Sequence, residues 1–233
     1  MTAQSTADKP DGRRSAAAAR RRARERQILD ATRALFDARG VRDAQIEDIA
    51  RAVGVNRAII YRHFSGKEEL FALTLVGYLE QLHERLVGAD DPGLAAEPRL
   101  RRLTEAFLDF GLEFPAFVDC AQTLMRRPGP ELLEEVSEGA VYRLGRGIAT
   151  CLGRVAEVLD AGVREGVFRT EDVHLLANTL YATGLGGLQL ARVGMQVQEA
   201  APGVPVVATL SPEQVKEHLV AASIAMAVGA DRT

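Results

Sequence analysis

Between Asn56 and Phe64 the sequence places cations, hydrogen-bond donors and small apolar side chains next to one another. An arginine can bond bidentately to guanine, a small apolar side chain can meet a thymine methyl group, and the polar groups can bind phosphates. This mixture suits the major groove of DNA better than a protein core. The side chains of this stretch that are predicted to contact DNA are Asn56, Arg57, Ala58, Ile59, Tyr61, Arg62 and His63.

Two short helices and a tight turn are needed to present these side chains, and the spacing of apolar residues over 46–64 predicts both helices. Gly54 marks the turn, where a left-handed conformation costs glycine nothing. Asn56 is predicted to cap the second helix. The apolar side of the first helix is Ile46, Ile49, Ala50 and Val53, and that of the second is Val55, Ile60 and Phe64. The stretch is predicted to be a helix-turn-helix.

Residues 26–72 extend this pattern and resemble the amino-terminal DNA-binding domain of the TetR family of bacterial transcriptional repressors. The residues that carry the resemblance are Leu35, Phe36, Gly40, Asp48, Ile49, Ala50, Gly54, Val55, Tyr61, Phe64 and Lys67. The resemblance implies phosphate contacts by Tyr61, His63 and Lys67. Gln45 is a further candidate, because it stands where the family usually has a hydroxyl residue. The resemblance also implies a homodimer that binds a palindromic double-stranded DNA operator and is released from it by a small effector.

An arginine-rich segment precedes the helix-turn-helix, and Arg24 lies within it. Two interpretations stay open: a solvated start of the first helix, or an arm that reaches phosphates or an A·T-rich minor groove. Arg24 is included among the predicted DNA contacts.

The charge distribution supports nucleic-acid binding, although the formal net charge of the 233 residues is −3. Residues 1–67 hold 15 Lys and Arg against 8 Asp and Glu, whereas residues 68–233 hold 14 against 24. The basic charge is thus concentrated on the segment that carries the helix-turn-helix, as phosphate binding requires.

The composition predicts a globular cytoplasmic protein. Hydrophobic residues make up 47% of the chain, and no stretch reaches the roughly 18 apolar residues of a membrane helix. We expect no membrane association, and no secretion signal is visible. Cys120 and Cys151 are interpreted as buried thiols.

The fold class is predicted to be all-α, with a three-helix head and a larger carboxy-terminal bundle. Residues 1–19 are predicted to be a disordered basic arm, 20–66 the DNA-binding domain, and 67–233 the ligand-binding and dimerisation domain. The fourth helix is expected to begin at Lys67 and to end before Asp90. Further helices are predicted at 98–114, 115–127, 130–165, 171–199 and 212–228, with a loop at 200–210 and no strand.

The last two predicted helices are rich in small residues. Glycine within a helix costs about 1 kcal/mol relative to alanine, so close backbone approach is a reasonable cause. Packing inside one subunit would explain the pattern, but the resemblance favours a dimer interface. The residues predicted for that interface are Gly184, Gly187, Ala191, Ala221 and Ala225.

Four phenylalanines within eleven residues predict either plain core or the wall of an apolar cavity that binds the effector. The predicted ligand-binding residues are Phe107, Phe110, Phe114, Met125, Tyr142, Asn178 and Tyr181. A small, largely apolar effector is expected.

No catalytic motif, metal-ligand spacing or cofactor signature is present in the sequence, so we expect neither an enzyme nor a cofactor. The hypothesis is an effector-responsive repressor. The alternatives are a DNA-organising or activating protein with the same head but no effector, and an enzyme or carrier whose head no longer binds DNA.

Overall fold

The computed structural model describes residues 10–41 and 44–229, and within these ranges the chain is almost wholly helical. A three-helix head joins a larger bundle through α4, as predicted for an all-α fold. The elements are α1 Pro10–Arg39, α2 Ile46–Val53, α3 Arg57–Tyr61, α4 Lys67–Ala89, α5 Ala96–Glu113, α6 Pro115–Met125, α7 Gly129–Glu135, α8 Glu138–Arg164, α9 Val173–Val193, β1 Met195–Ala201, β2 Val204–Thr209 and α10 Pro212–Val228.

The head contains the predicted helix-turn-helix. The apolar stripe of α2 is buried, with Ile49 almost completely covered. Gly54 ends α2 with a φ of 69°, in the left-handed region that glycine adopts without steric cost. Asn56 then caps α3, because its side-chain oxygen accepts a hydrogen bond of 3.1 Å from the N–H of Ile59.

The first helix begins earlier than the sequence predicted. Part of the expected disordered arm, residues 10–19, is helical, and residues 1–9 lie outside the described residues. The side chains of residues 14–23 are exposed. The alanine and arginine run there has high intrinsic helix propensity, which accounts for a helix without packing. The boundary between arm and DNA-binding domain stays a prediction.

The central element is α4, which runs from the head into the bundle and packs against α5, α6 and α8. Helix α1 holds α4 in place, because the hydroxyl of Tyr78 on α4 donates a 2.5 Å hydrogen bond to Asp37 on α1. The guanidinium of Arg33 lies 4.3 Å from the centre of the Tyr78 ring. One rigid helix therefore touches both parts of the molecule.

The predicted helix at 130–165 is two helices, α7 and α8. The helix is interrupted at Val136, whose side chain is buried, and at Ser137. The hydroxyl of Ser137 accepts a hydrogen bond of 3.4 Å from the N–H of Ala140 and so caps α8. The sequence prediction missed this serine cap inside an otherwise helical pattern.

A β-hairpin replaces the predicted loop at 200–210 and the end of the predicted helix at 171–199, so the expectation of no strand is wrong. Gly194 ends α9 with a φ of 68°. The strands β1 and β2 then pair antiparallel, with Val197 opposite Val207, and Gly203 supplies a positive φ at the turn. Apolar and polar residues alternate at the start of β1, and β2 is rich in valine; both features favour strands. Val197 is 76% exposed, so the hairpin buries little in one subunit.

The small residues of α9 pack largely inside the subunit, which corrects their assignment to a dimer interface. A Cβ at Gly184 would lie 2.6 Å from Phe107, and a Cβ at Gly187 would lie 2.2 Å from Leu219. Ala191 is buried. These positions are small because α5 and α10 approach α9 closely. Only the two α10 members of the predicted interface, Ala221 and Ala225, are exposed.

None of the described helices is long and apolar enough to cross a membrane. Within the described ranges, no three His, Cys, Asp or Glu side chains are grouped as metal ligands.

Candidate functional site: nucleic-acid interface and cavity

The recognition helix α3 presents a polar surface because one residue anchors it. Ile60 is buried to 1% exposure, and Phe64 just beyond the helix is buried to 2%. The opposite side carries Arg57, Ala58 and Tyr61, which are all exposed. A helix of five residues thus has one buried face and one free face, as groove reading requires.

Arg57, the first residue of α3, is held on this free face by two neighbouring side chains. Its Nη1 lies 2.8 Å from Glu47 Oε1, and its Nη2 donates a 3.2 Å hydrogen bond to the hydroxyl oxygen of Tyr61. The guanidinium also lies 5.2 Å from the centre of the Tyr61 ring. The Tyr61 hydrogen bond and charge, followed by the Glu47 charge, raise the pKa of Arg57. The arrangement orients the planar donor fork and leaves the Tyr61 proton free to donate elsewhere.

The other residues predicted to contact DNA lie on or beside α1, α2, α3 and α4. Gln45 precedes α2 and is exposed, and its side chain makes no capping hydrogen bond. Lys67 opens α4, with its Nζ 5.0 Å from the Phe71 ring centre. Arg62 ends α3 and is exposed. Arg24 lies on α1 and donates a 2.9 Å hydrogen bond to Gln27.

His63, two residues beyond the end of α3, is half-buried, and its Nδ1 is buried without a hydrogen-bond partner among the described residues. Burial lowers the pKa of His63, and the positive charge of Arg21 lowers it further. The imidazole is therefore neutral at pH 7. Ile59 is only half-exposed, so it offers part of an apolar surface.

An apolar cavity of about 60 Å³ lies in the carboxy-terminal bundle. Its walls come from α4, α5, α8, α9 and α10. The lining residues are Leu79, Leu82, Leu86, Leu103, Thr104, Phe107, Leu108, Ile148, Cys151, Leu152, Val155, Ala177, Leu180, Tyr181, Gly184, Leu219 and Ser223. None of them carries a charge at neutral pH.

Two of the seven predicted ligand-binding residues line this cavity. Phe107 and Tyr181 meet there edge to face, with ring centres 5.8 Å apart. Phe110 and Phe114 lie outside it, since they stack on each other and on the rings of Phe117 and Tyr78.

The other three predicted ligand-binding residues also lie outside the cavity. Met125 is 55% exposed and Tyr142 is 69% exposed, so both are on the outer surface. Asn178 is exposed too, and its amide donates a 2.9 Å hydrogen bond to the carbonyl of His174. Sequence reasoning missed Thr104 and Ser223, whose helical positions give no sign of a cavity.

A polar latch joins the start of α4 to the junction of α7 and α8. Glu69 is 6% exposed, and its carboxylate accepts hydrogen bonds from the N–H of Ser65 at 2.6 Å and from the Ser137 hydroxyl. Burial acts to raise the pKa of Glu69, but the hydrogen bonds from Ser137 and Ser65 and the charge of Arg143 outweigh it and lower the pKa. The latch joins the start of α4, next to the head, to α8, which forms one wall of the cavity.

A helix-turn-helix head joined to a helical bundle that contains an apolar cavity defines a class of DNA-binding regulators. Residues 28–74 match the family model described as bacterial regulatory proteins, tetR family. This match confirms the resemblance of the head to the TetR family of bacterial transcriptional regulators that was seen in the sequence.

Curated proteins and solved structures of transcriptional regulators are similar to the chain. The HTH-type transcriptional repressor KstR2 of Mycobacterium tuberculosis (strain ATCC 25618 / H37Rv) is 28% identical over 158 residues, which is 66% of this chain and 74% of that protein. The structure of KstR2 of Mycobacterium tuberculosis, described as a ketosteroid transcriptional regulator, is 25% identical with a TM-score of 0.52 over 86% of this chain and 93% of that one. A bacterial regulatory protein of the tetR family from Rhodococcus RHA1 shares the fold, with a TM-score of 0.62 and 17% identity over 89% of this chain and 98% of that one.

Proposed function

We propose that the chain is a cytoplasmic, homodimeric repressor that binds a palindromic operator and is released from it by a small, largely apolar effector. The observation that carries this proposal is the path of α4. The helix begins at Lys67, three residues after Phe64 of the head, and its Leu79, Leu82 and Leu86 form a wall of the cavity. A molecule in the cavity therefore touches the same helix that sets the position of the head.

Direct reading of the operator is assigned to α3. Arg57 is the cation at the start of this helix, and a bidentate arginine is the commonest specific contact to guanine. The half-exposed Ile59 is suited to a thymine methyl group. Tyr61 lies on α3, Gln45 precedes α2 and Lys67 opens α4, and phosphate contacts there would fix the orientation of the helix.

The dimer is assigned to the outer faces of α9 and α10. The exposed side of α9 repeats at helical spacing and carries mostly small or apolar residues. Its members are Leu175, Thr179, Ala182, Thr183, Gly186, Leu190 and Val193. Ala221, Ala225 and Val228 form the matching side of α10. A second copy would cover both stripes and place two recognition helices in successive major grooves, roughly 34–36 Å apart.

The size of the cavity supports release by an effector. A space of about 60 Å³ is smaller than the roughly 150 Å³ apolar cavity that holds benzene in another protein. Even a single-ring molecule must therefore push the walls apart. Because α4 is one of those walls, effector binding and the position of the head would be coupled. The effector must then weaken operator affinity by the same factor by which the operator weakens effector affinity.

Selection from randomised duplex DNA with the full-length chain, followed by footprinting of the enriched sequence, tests this function. We expect a palindrome protected over two half-sites and a dimer of the chain in sedimentation. Binding that shows no sequence preference at physiological salt would overturn the repressor proposal. Sequence-specific binding that no apolar compound weakens would favour the effector-independent regulator instead.

A further inference from the structure

The lining of the cavity contains four groups that can donate a hydrogen bond, and three of them already do so within the protein. The hydroxyl of Thr104 donates to the carbonyl of Leu100 at 2.9 Å. The hydroxyl of Ser223 donates to the carbonyl of Leu219 at 2.8 Å. A buried hydroxyl that is paired with its own helix is not available to a ligand as a donor.

The thiol of Cys151 is also occupied. Its Sγ lies 3.4 Å from the carbonyl oxygen of Leu79, and burial raises the pKa of the thiol, so it stays protonated. The contact joins α8 to α4 at the cavity wall. This leaves the phenol of Tyr181 as the fourth donor.

Tyr181 differs from the other three groups because its hydroxyl makes no hydrogen bond to any described residue. Its ring is held against Phe107 at 5.8 Å, so the orientation of the phenol is restricted. Burial raises the pKa of Tyr181, and the phenol therefore keeps its proton at neutral pH. A donor at the cavity wall that has no partner within the protein is available to a ligand that supplies an acceptor.

The same lining disfavours charged ligands. None of its residues carries a positive charge, and an ionised carboxylate is very costly to bury unless a cation or several donors compensate it. A ligand with many hydroxyls would also leave most of them unpaired against leucine, isoleucine and valine walls.

We propose that the effector is an uncharged, mostly hydrocarbon molecule with one hydrogen-bond acceptor, such as a ketone, which accepts from the Tyr181 hydroxyl. This rests on the proposed function, in which the cavity is the effector site. Tyr181 is then the specificity-determining residue of that site, while the leucine walls supply most of the affinity.

Three probes with the same six-membered ring test the proposal. Cyclohexanone carries the acceptor, methylenecyclohexane replaces its oxygen by a CH₂ group, and cyclohexanecarboxylate carries a negative charge. Each is titrated against the full-length chain, with the melting temperature and calorimetric binding as readouts. We expect cyclohexanone to bind about tenfold more tightly than methylenecyclohexane, as one net hydrogen bond allows, and the carboxylate not to bind.

Tyr181→Phe is the decisive variant, because it removes the hydroxyl and keeps the ring that packs on Phe107. It should bind the ketone and the hydrocarbon with equal affinity. The matched control is Thr104→Val, which removes a lining hydroxyl that already pairs with its own helix and should keep the preference for the ketone. The melting temperatures of both variants without ligand check that they fold.

Three outcomes would each overturn the proposal. They are equal binding of ketone and hydrocarbon by the unaltered chain, an unchanged preference for the ketone in Tyr181→Phe, and tight binding of the carboxylate. Failure of all three probes to bind would overturn it as well, while operator binding by the same protein would leave DNA recognition intact. A ketone that binds through Tyr181 but never releases the operator would instead contradict the effector role of the cavity.

Discussion

The carboxylate of Glu47 on α2 lies 2.8 Å from the guanidinium of Arg57 on the recognition helix. Both side chains are more than half exposed, so the pair adds little to the stability of the head. Its effect is geometric, since it holds the arginine fork beside Tyr61 before DNA arrives. Bases and phosphates would compete with Glu47 for the same donors.

The first prediction concerns Arg57→Ala. We expect this variant to lose about 1–3 kcal/mol of operator binding and much less on random DNA, because a base contact carries sequence information. Lys67→Ala, at a predicted phosphate contact, should weaken both DNAs similarly. Fluorescence anisotropy on both DNAs measures the difference. Equal losses on the two DNAs for Arg57→Ala would reassign Arg57 to the phosphate backbone.

A second prediction links operator binding to pH through His63. Burial and Arg21 hold the pKa of His63 below its usual value in the free protein, whereas a nearby phosphate would raise it. Binding then takes up a proton, so operator affinity should increase as the pH falls from about 8 to about 6. His63→Asn should flatten this dependence. An identical pH profile in that variant would show that His63 does not approach a phosphate.

The third prediction concerns acid stability and the latch at Glu69. The pKa of Glu69 is lowered in the folded chain. Its carboxylate therefore stabilises the fold above the unfolded pKa of about 4.3, and this contribution is lost as the pH falls through the folded value. Glu69→Gln should cost about 1–3 kcal/mol at pH 7 and reduce the acid sensitivity of unfolding.

Glu68→Gln is the matched control for the latch. Glu68 is the neighbouring residue, and its partner Arg127 lies 3.3 Å away in a partly exposed ion pair. Such pairs contribute about 0–1 kcal/mol, so denaturant unfolding should change little. If both variants lose the same stability, then burial of Glu69 has no special role.

The fourth prediction separates two adjacent glycines of α9. A Cβ at Gly187 would lie 2.2 Å from Leu219, whereas a Cβ at Gly186 meets no atom within 4 Å in the single subunit. We expect Gly187→Leu to lower the melting temperature by disrupting the bundle. Gly186→Leu should keep its helical content but sediment as a monomer, and it should bind the operator weakly because the two heads are no longer linked. A Gly186→Leu variant that stays dimeric would place the interface elsewhere.

Local patterns in the sequence predict the head and the last helix well, because their signals depend on neighbours along the chain. Gly54 and Asn56 specify a turn and a cap regardless of the rest of the fold. Ser211 and Gln214 do the same at α10, where the complete capping box forms. The hairpin was missed because its strands bury no face in the subunit, so hydrophobic periodicity gave a weak signal.

The cavity lining depends on contacts between helices, which spacing alone does not determine. Phe107 and Phe110 are three residues apart on α5, yet Phe107 faces Tyr181 of α9 while Phe110 is enclosed by Phe114 and Phe117. A sequence pattern shows that both positions are apolar, but not which neighbouring helix each one meets. Tyr142 lies on the outer surface rather than in the cavity, and nothing in the sequence of its own helix indicates which side stays uncovered.

The length of α4 amplifies a small tilt of this helix into a larger displacement at its other end. Leu86 at the cavity and Lys67 beside the recognition helix lie nineteen residues apart on this helix, which is a lever arm of about 28 Å at 1.5 Å per residue. A tilt of about 3° around the cavity end would carry Lys67 through about 1.5 Å. In a dimer the two arms move together, so the spacing between the heads changes by the combined travel. In the proposed dimer, a small displacement at the cavity wall would therefore reach both heads in amplified form.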